Sequence, residues 1–403
     1  MNKLSASIQT GIGYPFGCGG YAQVIQYARE NGKKLVLFSG SIPIEIIYAS
    51  DCVPLGLDMV TAELAQNDRS AIELIETAER RFSPSLCGLN KASMGALLGE
   101  LSQIKPDAYV FATVMCNSSQ AAYYPFREML GIPSFSFDMP VHRDANTLSY
   151  LGSQIEDFIT FMEALSGKAL NYQSLKARME LTNRSTALLA EYTAMHRSVP
   201  CPASSRSVAI SSLMAQLAPT EDMCALLSEN LEQLRQLRAA GHSPCPDGEK
   251  HRVFLMHNLL RTGGEISRHL EEKYSAVTVA DGFTAAAPLY YEHLDDKKAC
   301  CMDFTKKLFN PALIHGSAED SRSLAEAAVK TIGDFKVDTV LFLGNRGCRH
   351  TLAVTKMLSD IIYDSFGLPM LFLDVDSMDS RYKSDADITI AIDEYMDTVV
   401  NGK

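Results

Sequence analysis

The chain has 403 residues, with 37 basic against 48 acidic side chains, a formal charge of −11, and 46% apolar and 21% charged residues. That length exceeds one ordinary hydrophobic core and points to two domains, and the composition is that of a folded globular protein. The acidic balance, without a local basic patch, excludes nucleic acid and anionic membrane surfaces as partners, and apolar runs such as Leu35–Phe38 and Thr339–Gly344 fall far short of the roughly 20 residues that cross a bilayer.

The N-terminus lacks the apolar core and cleavage site of a signal peptide, so the expected location is cytoplasmic. Gly11–Gly20 superficially resembles a phosphate-binding loop, but no strand precedes it and no lysine follows in the required place. Residues 21–31 read as a helix, 34–38 as a short buried strand and 44–50 as a helix opened by Pro43. An amphipathic helix is predicted over 68–81, a buried strand over 107–112, a helix over 119–130 and a strand over 134–137.

From Asn146 to Gln236 the periodicity is helical, interrupted at Pro200–Pro202, and His242–Glu249 is rich in turn formers. Strands over 252–256, 276–280, 339–343 and 369–373 then alternate with helices near 264–274, 318–333 and 350–365, with a variable loop after 280. The expectation is an α/β chain of two doubly wound, parallel-sheet, Rossmann-like domains. Its parts are an N-terminal helical segment (1–33), a first α/β domain (34–145), a helical connector (146–245) and a second α/β domain (246–403). The halves echo each other. Asp107–Ala112 leads to Cys116, a helix, Gly131–Pro133 and a strand ending at Asp138; Asp338–Leu343 leads to Cys348, a helix, Gly367–Pro369 and a strand ending at Asp374.

Ten cysteines in a reducing compartment are free thiols or metal ligands rather than a disulfide scaffold. Cys116 and Cys348 each follow a predicted buried strand at the start of a helix, where open α/β sheets bind ligands and helix dipoles favour thiolate. Cys87 lies in a loop marked by Pro84 and Gly88. No CxxC pair announces a zinc site, and scattered cysteines suit an iron–sulfur cluster better, three ligands on a four-iron cube leaving one iron open. Equally, a lone cysteine in a core is commonly a small buried hydrophobe, and spacing alone leaves both readings standing. The nine histidines show no HxxxH or HxH pairing; His350 alone is well placed to approach Cys348.

Five segments occur in register: Phe38–Ile47 (FSGSIPIEII), Ser85–Cys87 (SLC), Val114–Asn117 (VMCN), Gly344–Arg349 (GNRGCR) and Asp374–Arg381 (DVDSMDSR). Together they resemble the 2-hydroxyacyl-CoA dehydratase family, which also contains benzoyl-CoA reductase subunits and double-cubane cluster proteins. The resemblance runs from about Lys34 to Met396. It implies a [4Fe-4S] cluster on Cys87, Cys116 and Cys348, its fourth iron open to a substrate thioester carbonyl. It also implies a homologous second subunit in a heterodimer, an ATP-dependent iron–sulfur activator that delivers one electron, and a ketyl radical on the acyl-CoA substrate from which hydroxide leaves.

Double-cubane members carry further cysteines before the Pro-x-Glu element and near Gly282. This chain has Ser39, Gly40 and Ser41 in the first place and Asp281 and Gly282 in the second, which favours a single cubane. Cys300 and Cys301 lie near another such position and read as structural thiols. Ser39 and Ser41 can bind substrate or cap a helix; Glu45 and Asp58 can move protons, or Glu45 can simply complement a helix dipole. Asn345 and Arg346 can donate to cluster sulfur or shape a turn. Asp374, Asp376, Asp379 and Arg381 can be functional or form a solvated loop with an internal ion pair. Asp387, Ile390 and Ala391 replace the family's usual basic and glutamine-like residues. The leading expectation is the dehydratase subunit that binds substrate, giving enoyl-CoA from an (R)-2-hydroxyacyl-CoA. The alternatives are an electron-relay subunit of the same complex and a reductase subunit acting on an aryl-CoA.

Overall fold

A computed structural model describes residues 20–65, 68–113, 117–140, 144–205, 218–256, 263–282, 288–308 and 321–402. The glycine-rich opening up to residue 19 and Cys116 lie outside the described residues, as does the side chain of His350. The chain forms two four-stranded, all-parallel sheets flanked by helices, a pair of Rossmann-like units.

The first sheet holds β1 (Leu35–Ser39), β2 (Val53–Gly56), β3 (Ala108–Ala112) and β4 (Ser134–Phe137) in the order β2-β1-β3-β4. Its helices are α1 (Tyr21–Glu30), α2 (Ile44–Ala49), α3 (Leu57–Leu64), α4 (Asp68–Glu79), α5 (Gly88–Leu98) and α6 (Asn117–Leu130). Three longer helices follow: α7 (Ala145–Ser166), α8 (Tyr172–Met195) and α9 (Glu221–Ala239). Side chains of Asp144, Asn171 and Thr220 accept from backbone amides in their first turns, which starts each of them.

The second sheet holds β5 (His251–Met256), β6 (Ala276–Asp281), β7 (Thr339–Asn345) and β8 (Met370–Val375) in the order β6-β5-β7-β8. Around it lie α10 (Gly263–Tyr274), α12 (Ser321–Phe335), α13 (Arg349–Phe366) and α14 (Asp385–Tyr395), while α11 (Ala299–Leu308) falls between β6 and β7 in sequence. Among the described residues no helix is long and apolar enough to cross a membrane.

Central strands are buried on both faces, as a parallel sheet between helix layers requires. Val36 and Phe38 of β1 join Val110 of β3 in one core, while Leu35, Leu37, Tyr109 and Phe111 point to the other. The second sheet divides likewise, with Phe254 and Phe342 on one face and Val253 and Leu341 on the other. An aspartate stitches the central strands of each sheet at their start. Asp107 donates its N–H to the Leu35 carbonyl at 2.8 Å and accepts the Leu35 N–H at 2.9 Å; Asp338 does the same with Arg252 at 3.1 and 3.0 Å.

Strand β2 and helices α3, α5, α11 and α14 are not among the elements of the sequence reading. Strand β2 is absent from it because Pro54 breaks the strand pattern; proline is tolerated here since β2 pairs only with β1, on the sheet edge. The variable loop after residue 280 contains α11, whose apolar face of Cys300, Cys301, Phe304 and Leu308 is flanked by charged residues that hide its period. That face packs not on the second sheet but into the core of the first, beside Phe158 of α7 and Ile44 of α2.

Candidate functional site

Open parallel sheets present their crevice beyond the carboxyl ends of the strands. Cys87 stands there as the residue preceding α5, and Cys348 as the residue preceding α13, so each sits at a helix N-terminus. The two loops touch through glycine. A Cβ on Gly347 would lie 2.3 Å from the Cα of Cys87, a distance no side chain tolerates, so the backbone beside Cys348 rests directly on Cys87.

Hydrogen-bond donors surround the Cys87 sulfur. Asn345 Nδ2 donates to it at 3.1 Å, and the Ser377 hydroxyl lies 3.8 Å away and also receives the Asn345 amide at 3.3 Å. The Cys87 N–H donates to Ser118 Oγ at 2.9 Å, and Asn90 Nδ2 reaches the same oxygen at 2.9 Å. Ser118 is two residues beyond Cys116 in sequence, so the start of α6 is tied to Cys87 as well. The Cys348 N–H closes the turn on the Asn345 carbonyl at 2.7 Å.

Arg346, in contrast, is exposed, and its guanidinium stacks 4.2 Å from the centre of the Tyr382 ring. Tyr382 in turn donates to Asp374 at 2.6 Å. Asp376, Asp379 and Arg381 do not form a solvated loop. Arg381 pairs with Asp379 at 2.8 Å and reaches Glu79 of α4 at 3.0 Å. Buried Lys91 of α5 joins Glu79 at 2.8 Å to Asp379 at 3.3 Å, and Asp376 accepts the Gly88 N–H at 3.0 Å. Burial raises the Asp379 carboxyl, but Arg381 and Lys91 outweigh it and hold it below the usual range.

Beyond β1, Gly40 adopts φ +74°, which favours glycine, and Ser39 accepts the Tyr109 hydroxyl at 3.3 Å. Asp58, in the first turn of α3, has an Oδ1 that is buried without a partner; desolvation pushes its carboxyl up to about 6, although the Gly40 amide opposes the shift. Ser41 is partly buried in the turn between β1 and α2. Glu45 is only 1% exposed and is held by Thr182 of α8 at 2.7 Å and by Lys307 of α11. It anchors the α11 segment to the first sheet.

Other described cysteines lie in the cores. Burial pushes the Cys52 thiol up to about 11, Cys201 to about 12 and Cys245 to about 11, the behaviour of inert core thiols. Cys300 and Cys301 both lie against the Lys297 carbonyl, at 3.1 and 3.7 Å, within the core of the first sheet.

Residues 40–398 match the family model described as 2-hydroxyglutaryl-CoA dehydratase, D-component. The chain belongs to that family. It is also 19% identical over 394 residues to lactoyl-CoA dehydratase subunit alpha of Anaerotignum propionicum, the alignment covering 89% of each chain. The dehydratase family therefore supplies the chemical class within which the crevice is to be understood.

In this member of the dehydratase family, the structure brings together Cys87, Asn345 and the Cys348 loop at one place, and Ser39, Gly40 and Asp58 at another. Ser118, Ser377, Asn90 and Lys91 were not singled out from the sequence. Lys91 left a signal: a charged residue within the otherwise small and apolar run of α5, GLNKASMGALL. The serines left none, because a serine near a turn is ordinary.

Proposed function

We propose that this chain is the iron–sulfur subunit of a dehydratase that removes water from an (R)-2-hydroxyacyl-CoA to give the enoyl-CoA. The observation that carries the proposal is the contact of the Cys87 and Cys348 loops from opposite halves, with Asn345 Nδ2 at 3.1 Å from the Cys87 sulfur. Two thiol residues at helix N-termini, with amide and hydroxyl donors against one sulfur, form a setting that suits thiolate ligands and cluster sulfides. Cys87, Cys116 and Cys348 would hold a [4Fe-4S] cluster. When bound, such a group with one iron lacking a protein ligand supplies a Lewis-acidic contact for the thioester carbonyl and access for the single electron that a ketyl-radical elimination needs.

The protein's own groups then have defined work. A 2-hydroxyacyl thioester must lose hydroxide from the carbon next to the carbonyl and an unactivated proton from the carbon beyond. Ser39 accepts from Tyr109, which leaves its own O–H to donate to an acyl oxygen. Asp58, titrating near 6 with one oxygen unpaired, is able to take or hold a proton at neutral pH. Asn345 and Ser377 orient the Cys87 sulfur, while Glu45, locked between Thr182 and Lys307, maintains the wall of the first domain.

The complete system comprises a homologous second subunit and an ATP-dependent iron–sulfur activator in the cytoplasm. To test it, the co-purified complex is mixed anaerobically with activator, ATP, reductant and a panel of 2-hydroxyacyl-CoAs. Enoyl-CoA formed by the wild-type complex and abolished by Cys87→Ser is the expected result. Turnover retained by Cys87→Ser would refute the proposal.

A further inference from the structure

The segment after β8 leaves its own domain. Asp376 accepts three backbone amides, from Gly88 at 3.0 Å, Met378 at 2.9 Å and Asp379 at 3.0 Å, and so joins the start of α5 to the turn that follows β8. A Cβ on Gly88 would fall 1.9 Å from Asp376 Oδ1, so the approach requires glycine. Met378 fills an apolar pocket formed by Ala65, Ala71, Ile75 and Ala92 of the first half. Lys91, 3% exposed, directs its ammonium to Glu79, Asp379 and the Pro84 carbonyl, and its backbone N–H donates to the Cys87 carbonyl at 2.9 Å.

We propose that residues 376–381 are a lock that closes the two halves on the cysteine crevice, with Asp376 and Lys91 as positioning residues for Cys87. The lock acts on α5 at both ends of its first turn: Asp376 fixes Gly88, and Lys91 fixes the position four residues after Cys87. Lys91 and Asp379 are buried and paired with each other, Asp376 is satisfied by backbone amides, and Arg381 closes the set from an exposed position, so removal of a buried partner leaves others unsatisfied. With the lock released, Cys87 loses its register with Asn345 and Ser377. The inference rests on the iron–sulfur reading of this crevice and deepens it, and it is argued from contacts among this chain's own residues.

The test uses the metal-free full chain and the alkylation rate of individual cysteines with iodoacetamide, read by peptide mapping. Cys52, buried in the first domain and remote in sequence from the lock, serves as the internal reference. Asp376→Ala is expected to speed alkylation of Cys87 about tenfold, the loss associated with charge-assisted bonds to a buried acceptor, and to leave Cys52 unchanged. Asp376→Asn keeps a side-chain acceptor for the Gly88 N–H or for the Met378 and Asp379 amides but not for both, and is expected to give a Cys87 rate between those of the wild type and Asp376→Ala. Should Asp376→Ala not fold, Arg381→Gln carries the same comparison, with a smaller rise at Cys87. An unchanged Cys87 rate overturns the lock, as does a parallel rise at Cys52, since that would report general loosening. Iron plays no part in the readout, so a chain that takes up a cluster yet shows no change at Cys87 retains the cofactor reading and loses only the lock.

Discussion

The two halves of the molecule share a frame and part company after their last strands. Each sheet has the same strand order, the same aspartate stitch at its centre, and a glycine at positive φ, Gly131 or Gly367, after the helix that precedes its last strand. Each last strand leads to an aspartate bonded by a tyrosine, Asp138 by Tyr150 at 2.9 Å and Asp374 by Tyr382 at 2.6 Å. Beyond those aspartates the paths diverge. After β4 the chain stays at home: Gln154 of α7 grips both the N–H and the carbonyl of Asp138, and Met139 donates to Thr113. After β8 it crosses to the first half and ties itself to α4 and α5. A repeated frame thus sets where a crevice lies, and departures from the repeat determine what faces it.

If the frame is equivalent in both halves, its central aromatic residues should matter equally. Phe111→Ala in β3 and Phe342→Ala in β7 remove fully buried rings, and each is expected to lower unfolding free energy by about 3–5 kcal/mol in chemical denaturation. A large disparity would break the comparison.

The halves should differ in their response to pH. The Asp58 carboxyl is raised in the folded protein, so its folded form binds a proton more tightly than its unfolded form, and this group stabilises the fold less as pH rises through about 6. Asp58→Asn is therefore expected to gain up to about 3 kcal/mol at pH 8, a gain that shrinks to nothing near pH 4. Asp379 has the opposite sign. Its folded carboxyl is depressed, so its contribution is present above the usual carboxylate range and lost as pH falls through the lowered value. Asp379→Asn should accordingly cost stability at neutral pH, and the deficit should narrow in acid. Denaturation midpoints of both variants across pH check the pair of signs.

The smallest expected effect sharpens the tyrosine comparison. Tyr150→Phe removes a bond to exposed Asp138 and should change stability by less than about 0.5 kcal/mol. Tyr382→Phe leaves partly buried Asp374, whose Oδ1 already lacks a partner, without its neighbour, and should cost about 1 kcal/mol.

Much of the frame was legible because buried parallel strands advertise themselves as short apolar runs between helical periods. The run at 134–137 matches β4, and the predicted strand over 276–280 falls one residue short of β6. Helix α11 was illegible because its core face uses two cysteines and its partner surface belongs to a sheet more than a hundred residues earlier. The same limit applied at the crevice. The motif at Asp374–Arg381 could be seen, but a reading confined to the local sequence offered only an ion pair inside the loop, while the Lys91, Glu79 and Gly88 contacts depend on how two distant loops meet. Glu45 sits in a recognisable motif, but only the fold shows that Thr182 and Lys307 engage one of its carboxylate oxygens while the other is buried without a partner.

The central claim is that loops from both halves converge to hold one iron–sulfur cluster on three cysteines. It is met most directly by the iron and sulfide content and Mössbauer spectrum of iron-labelled, anaerobically purified protein, alone and as Cys87→Ser and Cys348→Ser. The account predicts about four irons per chain, one of them distinguishable from the other three, with the cluster lost or dismantled in either variant. Zinc in place of iron, or a cluster unaffected by both substitutions, would contradict it.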